Sequence, residues 1–255
     1  MLFRSSRNFH THLDYVIDKF QEKGLQIIPY RMSTYDNLEI YLKTLDFDQI
    51  VKVIVSGGDG TIHQVINRMM KLEISCPLSI FPSGTANDFS QYFQIPKDIE
   101  GMVNVALSDQ YVPCDLGVAN EEYFINVASF GNLVDISQRV NEQFKNIVGV
   151  LAYYMKGIEE IPKLKAFQAK VTVDTLLIDE LVYFVLVMNG NSAGGFRKLA
   201  PYSDISDGLL DVLIFKKCPI FEVMPLLIQV WNGEHPKSDY IHYVQAKHVE
   251  VTVDE

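Results

Sequence analysis

The stretch from Ile50 to Thr61 limits the fold most strongly. A β-branched run over 50–55 leads into Ser56-Gly57-Gly58-Asp59-Gly60-Thr61, and helical spacing follows with Ile62, Val65, Ile66 and Met69. A buried strand, a glycine-rich turn and a helix in direct succession are the local signature of a parallel α/β layer. The glycines let the backbone turn sharply and let a ligand approach the amides. The helix start offers N–H groups and the positive end of the helix dipole, which suit phosphate. No GxxxxGK[ST] loop occurs, and Gly58-x-Gly60 is followed by His63 where a dinucleotide fingerprint has its third glycine. Asp59 would repel phosphate unless a divalent cation bridged the two. The loop therefore reads as a site for nucleotide phosphate with magnesium. A tight structural turn with a solvated Asp59 satisfies the same local pattern.

The rest of the first half alternates helix and strand. Leu13, Val16, Ile17 and Phe20 predict a helix ended by Gly24, residues 25–29 a strand, 35–45 a helix, 62–72 a helix and 78–81 a strand. The second half reads differently. A hairpin is predicted around Asn120-Glu121, and Phe167, Ala169, Val171 and Val173 alternate. Further strands are predicted over 181–188, 209–215, 240–244 and 249–253. Helical insertions carry Leu133, Ile136, Val140, Phe144 and Ile147, and then Ile220, Val223, Met224, Leu227 and Val230. The expected fold class is α/β plus β. A parallel-sheet nucleotide-binding domain is placed over 1–111, and a mainly antiparallel β domain with helical insertions over 112–255.

Charge and cysteine usage narrow the functional classes. With 22 Lys plus Arg against 32 Asp plus Glu, the net charge of -10 argues against nucleic-acid binding through bulk charge. Cys76, Cys114 and Cys218 are far apart and form no CxxC, so neither a disulfide framework nor a cysteine zinc site is expected. No apolar run approaches the roughly 18 residues of a membrane span. A cytoplasmic, soluble chain is the expectation. His10, His12, His235, His242 and His248 show no compelling ligand spacing. Trp231 reads as a core or interface residue on an apolar helix face. Residues 189–196 read as a wide loop or a flexible lip.

A second loop, Phe81-Pro82-Ser83-Gly84-Thr85-Ala86-Asn87-Asp88-Phe89, also follows a predicted strand. Its small residues permit close approach, and Asp88 is also a candidate helix cap. Both loops fall at strand C-terminal ends, where open α/β sheets bind ligands. Taken with Val112-Pro113-Cys114-Asp115-Leu116-Gly117, Tyr153-Tyr154-Met155-Lys156-Gly157 and Ser206-Asp207-Gly208-Leu209-Leu210-Asp211-Val212, this series resembles the diacylglycerol kinase catalytic-domain family, in its soluble bacterial branch. The motifs are weak singly and strong in order.

The resemblance implies an ATP- and magnesium-dependent lipid kinase acting on diacylglycerol or a related lipid. Gly58, Asp59, Gly60, Thr61, Ile62, His63 and Gln64 would line the ATP phosphates, with Thr85 also touching the nucleotide. Asp59, Asp88 and Asp115 would form an acidic network around magnesium and the reacting groups, and Lys156 would stabilise transferring charge. Asp207, with the carbonyls of Asp204 and Leu209, would hold a structural magnesium. The implied partners are a lipid substrate and a membrane surface contacted transiently; a homodimer is compatible and nucleic acid is not implied. Two other readings stay open: an NAD kinase-like enzyme, and a non-catalytic nucleotide-binding relative. The second follows from departures at both ends. The family's first strand and phosphate loop are expected to be missing at Met1–Ser6, and Val253-Asp254-Glu255 lacks the glycine of the family's Asp-Gly-Glu segment. Met32 stands where relatives often have a nucleotide-contacting threonine, near Ser33 and Thr34.

Overall fold

The computed structural model describes residues 2–4, 12–32, 35–131 and 165–253. Its contacts divide the chain into two units, 1–125 and 126–255.

The first unit is a parallel sheet with helices between its strands. Strand β1 (Leu2–Arg4) leads to α1 (Leu13–Gln21), β2 (Pro29–Arg31), α2 (Tyr35–Leu42), β3 (Val53–Gly57), α3 (Asp59–Lys71) and β4 (Leu78–Pro82). The strand order is β2-β1-β3-β4, and every pairing is parallel. The expectation that the first strand is missing is therefore corrected: residues 2–4 form it, between β2 and β3. Three residues carry no readable period, so only the pairing reveals this strand. Strand β2 begins where the predicted 25–29 strand ends, because its extent is set by its register with residues 2–4. Leu25 and Ile27 instead pack against a core of Val16, Phe20, Ile54, Phe81, Met102, Val103 and Ala106. The last three come from α5 (Ile99–Leu107), which Asp98 caps through the amide of Gly101.

A small hairpin, β5 (Gly117–Ala119) and β6 (Glu122–Phe124), closes this unit. The expected boundary at 111/112 precedes this hairpin, whereas the contact division follows it. Buried Asn67 on α3 accounts for this. Its Nδ2 donates to the Tyr123 carbonyl at 2.7 Å, and its Oδ1 accepts from the Tyr123 amide at 2.9 Å.

The second unit is an antiparallel sheet. Its strands are β7 (Val127–Gly131), β8 (Phe167–Val173), β9 (Leu176–Met188), β10 (Leu210–Lys216), β11 (Ile241–Ala246) and β12 (Val249–Val253). The order is β11-β10-β9-β8-β12, with β7 also on β9. Residues alternate between faces along a strand. Accordingly, Val212 and Ile214 of β10 join a cluster with Ala169, Val171 and Val185, while Leu213 and Phe215 join another with Leu186, Met188 and Ile241. Burial on both faces explains the apolar run 212–215 of β10. Helix α6 (Ile220–Asn232) adds Val230 to the second cluster and ends at Gly233, whose φ of 78° is the left-handed cap conformation. Among the described residues no helix is long and apolar enough to cross a membrane.

Candidate active site

Strand order reverses between β1 and β3, the position at which an open parallel sheet leaves a crevice beyond its strand ends. The 56–61 loop leaves β3 at that point. Its neighbour, the 83–87 loop, leaves β4, and the Ser83 amide donates to the Gly57 carbonyl at 3.0 Å.

The two loops meet backbone to backbone. A Cβ on Gly84 would lie 2.5 Å from the Gly58 Cα, and one on Gly58 would lie 3.0 Å from the Gly84 Cα. Neither position admits a side chain without separating the loops. Gly57 is constrained locally, since a Cβ there would strike the Thr61 side chain at 2.5 Å. Gly60 differs, because a Cβ there would meet nothing within 4 Å. The fold does not require glycine at position 60, whereas a ligand resting on that backbone would.

Asp59 joins the loops a second time. Its carboxylate accepts from the amide of Asp88 at 3.1 Å and from the amide of Phe89 at 3.0 Å. These are the first amides of the short helix α4 (Asp88–Tyr92). The residue before that helix, Asn87, is left-handed with φ 53° and does not cap it. Its side chain faces back along its own loop, accepting from the Gly84 amide and donating to the Gly84 carbonyl, both at 2.8 Å. Asp59 thus supplies from the neighbouring loop the cap that Asn87 does not. The alternative of a solvated Asp59 is set aside, because both of its oxygens are held.

Other predicted site residues take varied places. The amides of Thr61 and Ile62 already donate to the Gly58 carbonyl at 2.9 and 3.1 Å. Ile62 is 0% exposed, so its side chain packs in the core beneath the loop. No described residue accepts from the amides of Asp59 or Gly60. His63 and Gln64 are half-buried on α3, and Thr85 is exposed on its loop. Asp88 is buried, while Asp115 is half-buried beside Cys114. Burial, followed by the Asp115 charge, pushes the Cys114 thiol up to about 12, which leaves it an inert neutral group. Among the described residues no three His, Cys, Asp or Glu side chains converge to hold a metal ion. Lys156 and Glu255 lie outside the described residues.

In the second unit, the 204–209 loop is folded on itself. Asp204 Oδ1 accepts from the amide and the hydroxyl of Ser206 at 3.0 and 2.9 Å, and Asp207 Oδ1 accepts from the Leu209 amide at 2.9 Å. Both acids are exposed, and each uses one carboxylate oxygen in these bonds. The remaining oxygens, with nearby carbonyls, are the hard donors that magnesium prefers.

Two polar groups were missed by sequence reading. Asn67 pins the hairpin, and nothing in its helical context marks it. Asp211 is 1% exposed within β10 and accepts from the Tyr243 hydroxyl. Burial raises the Asp211 pKa from its ordinary value. A carboxylate inside the apolar run 209–215 was a readable signal of a buried partner.

Comparisons with known proteins agree with this architecture. Residues 4–119 match the diacylglycerol kinase catalytic domain, and residues 126–255 match a YegS C-terminal NAD kinase beta sandwich-like domain. The chain is 34% identical over 248 residues to a diacylglycerol kinase of Bacillus subtilis, covering 97% of this chain and 82% of that protein. It is 32% identical over 250 residues to one of Staphylococcus haemolyticus, covering 96% and 74%. A crystal structure of a diacylglycerol kinase from Bacillus anthracis shares the fold, with a TM-score of 0.77 and 24% identity over 100% of this chain and 85% of that one.

Proposed function

The chain belongs to the diacylglycerol kinase family, and from that premise we propose that it transfers the γ-phosphoryl group of ATP to the hydroxyl of diacylglycerol, giving phosphatidic acid. The observation carrying this reading is the double tie between the glycine loops. It fixes both loops against each other at the start of α3.

Phosphoryl transfer leaves little covalent work to the protein; positioning and charge stabilisation dominate. The amides of Asp59 and Gly60, at the positive end of α3, would hold phosphate oxygens, with bare Gly60 allowing their approach. Asp59 would act first through geometry, fixing the 83–87 loop and thereby Thr85. Asp88 and Asp115 are the carboxylates this reading assigns near the reacting groups. Lys156 is assigned charge stabilisation on the family resemblance alone. Asp204, Asp207 and the Leu209 carbonyl would hold magnesium, which when bound would brace their loop. The second unit is assigned the lipid acceptor.

The test is an acceptor panel. Purified protein with labelled ATP and magnesium is offered dispersed diacylglycerol, monoacylglycerol or NAD. The expected product is phosphatidic acid. Formation of NADP with no lipid product would replace this reading with the NAD kinase-like one.

A further inference from the structure

Helix α6 exposes an apolar stripe. Phe221 is 73% exposed, Ile220 63%, Trp231 60%, Ile228 58% and Met224 46%. Positions 220, 221, 224, 228 and 231 recur at helical spacing, so they lie along one face. The opposite face is the one that packs, through buried Val223 and Val230. Of the two places expected for Trp231, core or interface, its exposure leaves the interface. Trp231 does lean edge-on against Phe196.

Cations lie near both ends of α6. Lys216 and Lys217 lie four and three residues before the first residue of the helix, and Lys198 packs at its end, 2.9 Å from where a Gly233 Cβ would sit. Arg197 adjoins Phe196, and Lys237 lies in the following 3-10 turn. Glu222 and Glu234 are the acids on or next to α6. In a chain of net charge -10, basic residues at both ends of an exposed apolar helix form a local exception. The combination of aromatic and aliphatic residues on one face, with Lys and Arg at the margins, is that of a helix lying in an anionic membrane interface. At 13 residues, α6 is about 20 Å long, too short to span a bilayer core of about 30 Å. A second copy fits less well, because one helix stripe falls well short of the roughly 20–30 residues a side of a stable protein interface.

We infer that α6 is the membrane-docking surface of this protein, lying flat on anionic bilayers with Phe221, Met224, Ile228 and Trp231 inserted among the lipids. This rests on the lipid-kinase reading for its purpose, since the acceptor resides in a bilayer. The binding itself is measurable without any turnover. Trp231 is the chain's single tryptophan, so its emission reports on α6 directly.

The experiment adds vesicles of phosphatidylcholine with phosphatidylglycerol, or of phosphatidylcholine alone, to the full chain and follows Trp231 emission and co-sedimentation. A blue shift, larger with anionic vesicles and reduced by salt, is expected. The double variant Phe221→Ser/Ile228→Ser should co-sediment about tenfold less or weaker still. Lys216→Gln/Lys217→Gln should lose only the salt-sensitive part. Melting temperatures should stay near the parent's, as the altered side chains are exposed. On a water-soluble short-chain diacylglycerol, the parent and the double variant should turn over alike. If neither phosphorylates it, the kinase reading fails while the vesicle result still stands. Unmoved emission with anionic vesicles would overturn the inference, as would parent-like sedimentation of the double variant. A blue shift that follows protein concentration alone, with a doubled mass, would assign the stripe to a second copy instead.

Discussion

The glycine loops of the first unit and the acidic loop of the second place carboxylates in similar short turns, yet they are built differently. Asp59 reaches across to amides 29 and 30 residues away, whereas Asp204 and Asp207 each bond an amide two residues on. The first arrangement depends on β3 and β4 lying side by side. The second can form wherever the local backbone turns. A loop held by distant partners should fail when either partner changes, while a self-folded loop should lose only what its own hydrogen bonds contribute.

The largest effect should come from Gly84→Val. Its side chain would meet the Gly58 backbone and the Asn87 Oδ1, forcing the loops apart. Overpacking of this kind costs about 1–3 kcal/mol. Denaturant unfolding should show that loss, and ATP titration should show nucleotide affinity lost with it. Parent-like values in both assays would mean that the loops are not coupled.

Asp59→Ala comes next. Sequence reading alone predicts that this substitution removes metal-dependent nucleotide binding and leaves the fold largely intact. The two amide bonds instead predict a loss of about 1–2 kcal/mol, comparable to losing a helix cap. This loss should appear without nucleotide or magnesium. If thermal melting moves only when magnesium and ATP are present, Asp59 is a ligand residue first and a tie second.

Asp207→Ala should cost less, about 0.5–1.5 kcal/mol, the net worth of one hydrogen bond. The sharper readout is metal dependence. Magnesium should raise the parent's melting temperature and leave the variant's unchanged. Equal stabilisation of both would remove Asp207 from the proposed magnesium set.

A smaller, pH-linked effect belongs to the second unit. His235 is 0% exposed, its Nε2 bonds the Leu199 carbonyl at 2.8 Å, and burial lowers its pKa below the ordinary 6.5. The unfolded chain therefore takes up the proton first. The stability from a neutral His235 is full above about pH 6.5 and is lost as pH falls below it. His235→Gln should flatten this part of the acid dependence when denaturant midpoints are compared at pH 7.5 and 5. Equal slopes in parent and variant would contradict it.

Gly60→Ala should change stability least. Its Cβ enters open space at the first turn of α3, where alanine gains at most about 0.5–1 kcal/mol over glycine. ATP affinity should nevertheless fall, since the added methyl occupies the approach to the amides. A Gly60→Ala variant that binds ATP as tightly as the parent would show that phosphates do not rest there.

Much was legible in the residue order. The strand-glycine-helix succession at 50–72 announced a parallel layer, and alternation in 167–173 and 249–253 announced an antiparallel one, because burial periods of 3.6 and 2 are written locally. The motif series was enough to point to the family. What stayed hidden depended on residues distant in sequence. Gly58 and Gly84 look like ordinary loop glycines until their backbones touch, and Asp59 looks like a ligand carboxylate until the start of α4 arrives beside it. Residues 2–4 become a strand only through their neighbours. Trp231 shows an apolar period that fits core and lipid surface equally. Local sequence determined which segments turn, extend or coil, because backbone preference and side-chain burial act over a few residues. Tertiary structure alone decided which glycine is indispensable, which carboxylate is already occupied and which apolar face is left exposed, because each depends on what the rest of the chain brings within contact distance.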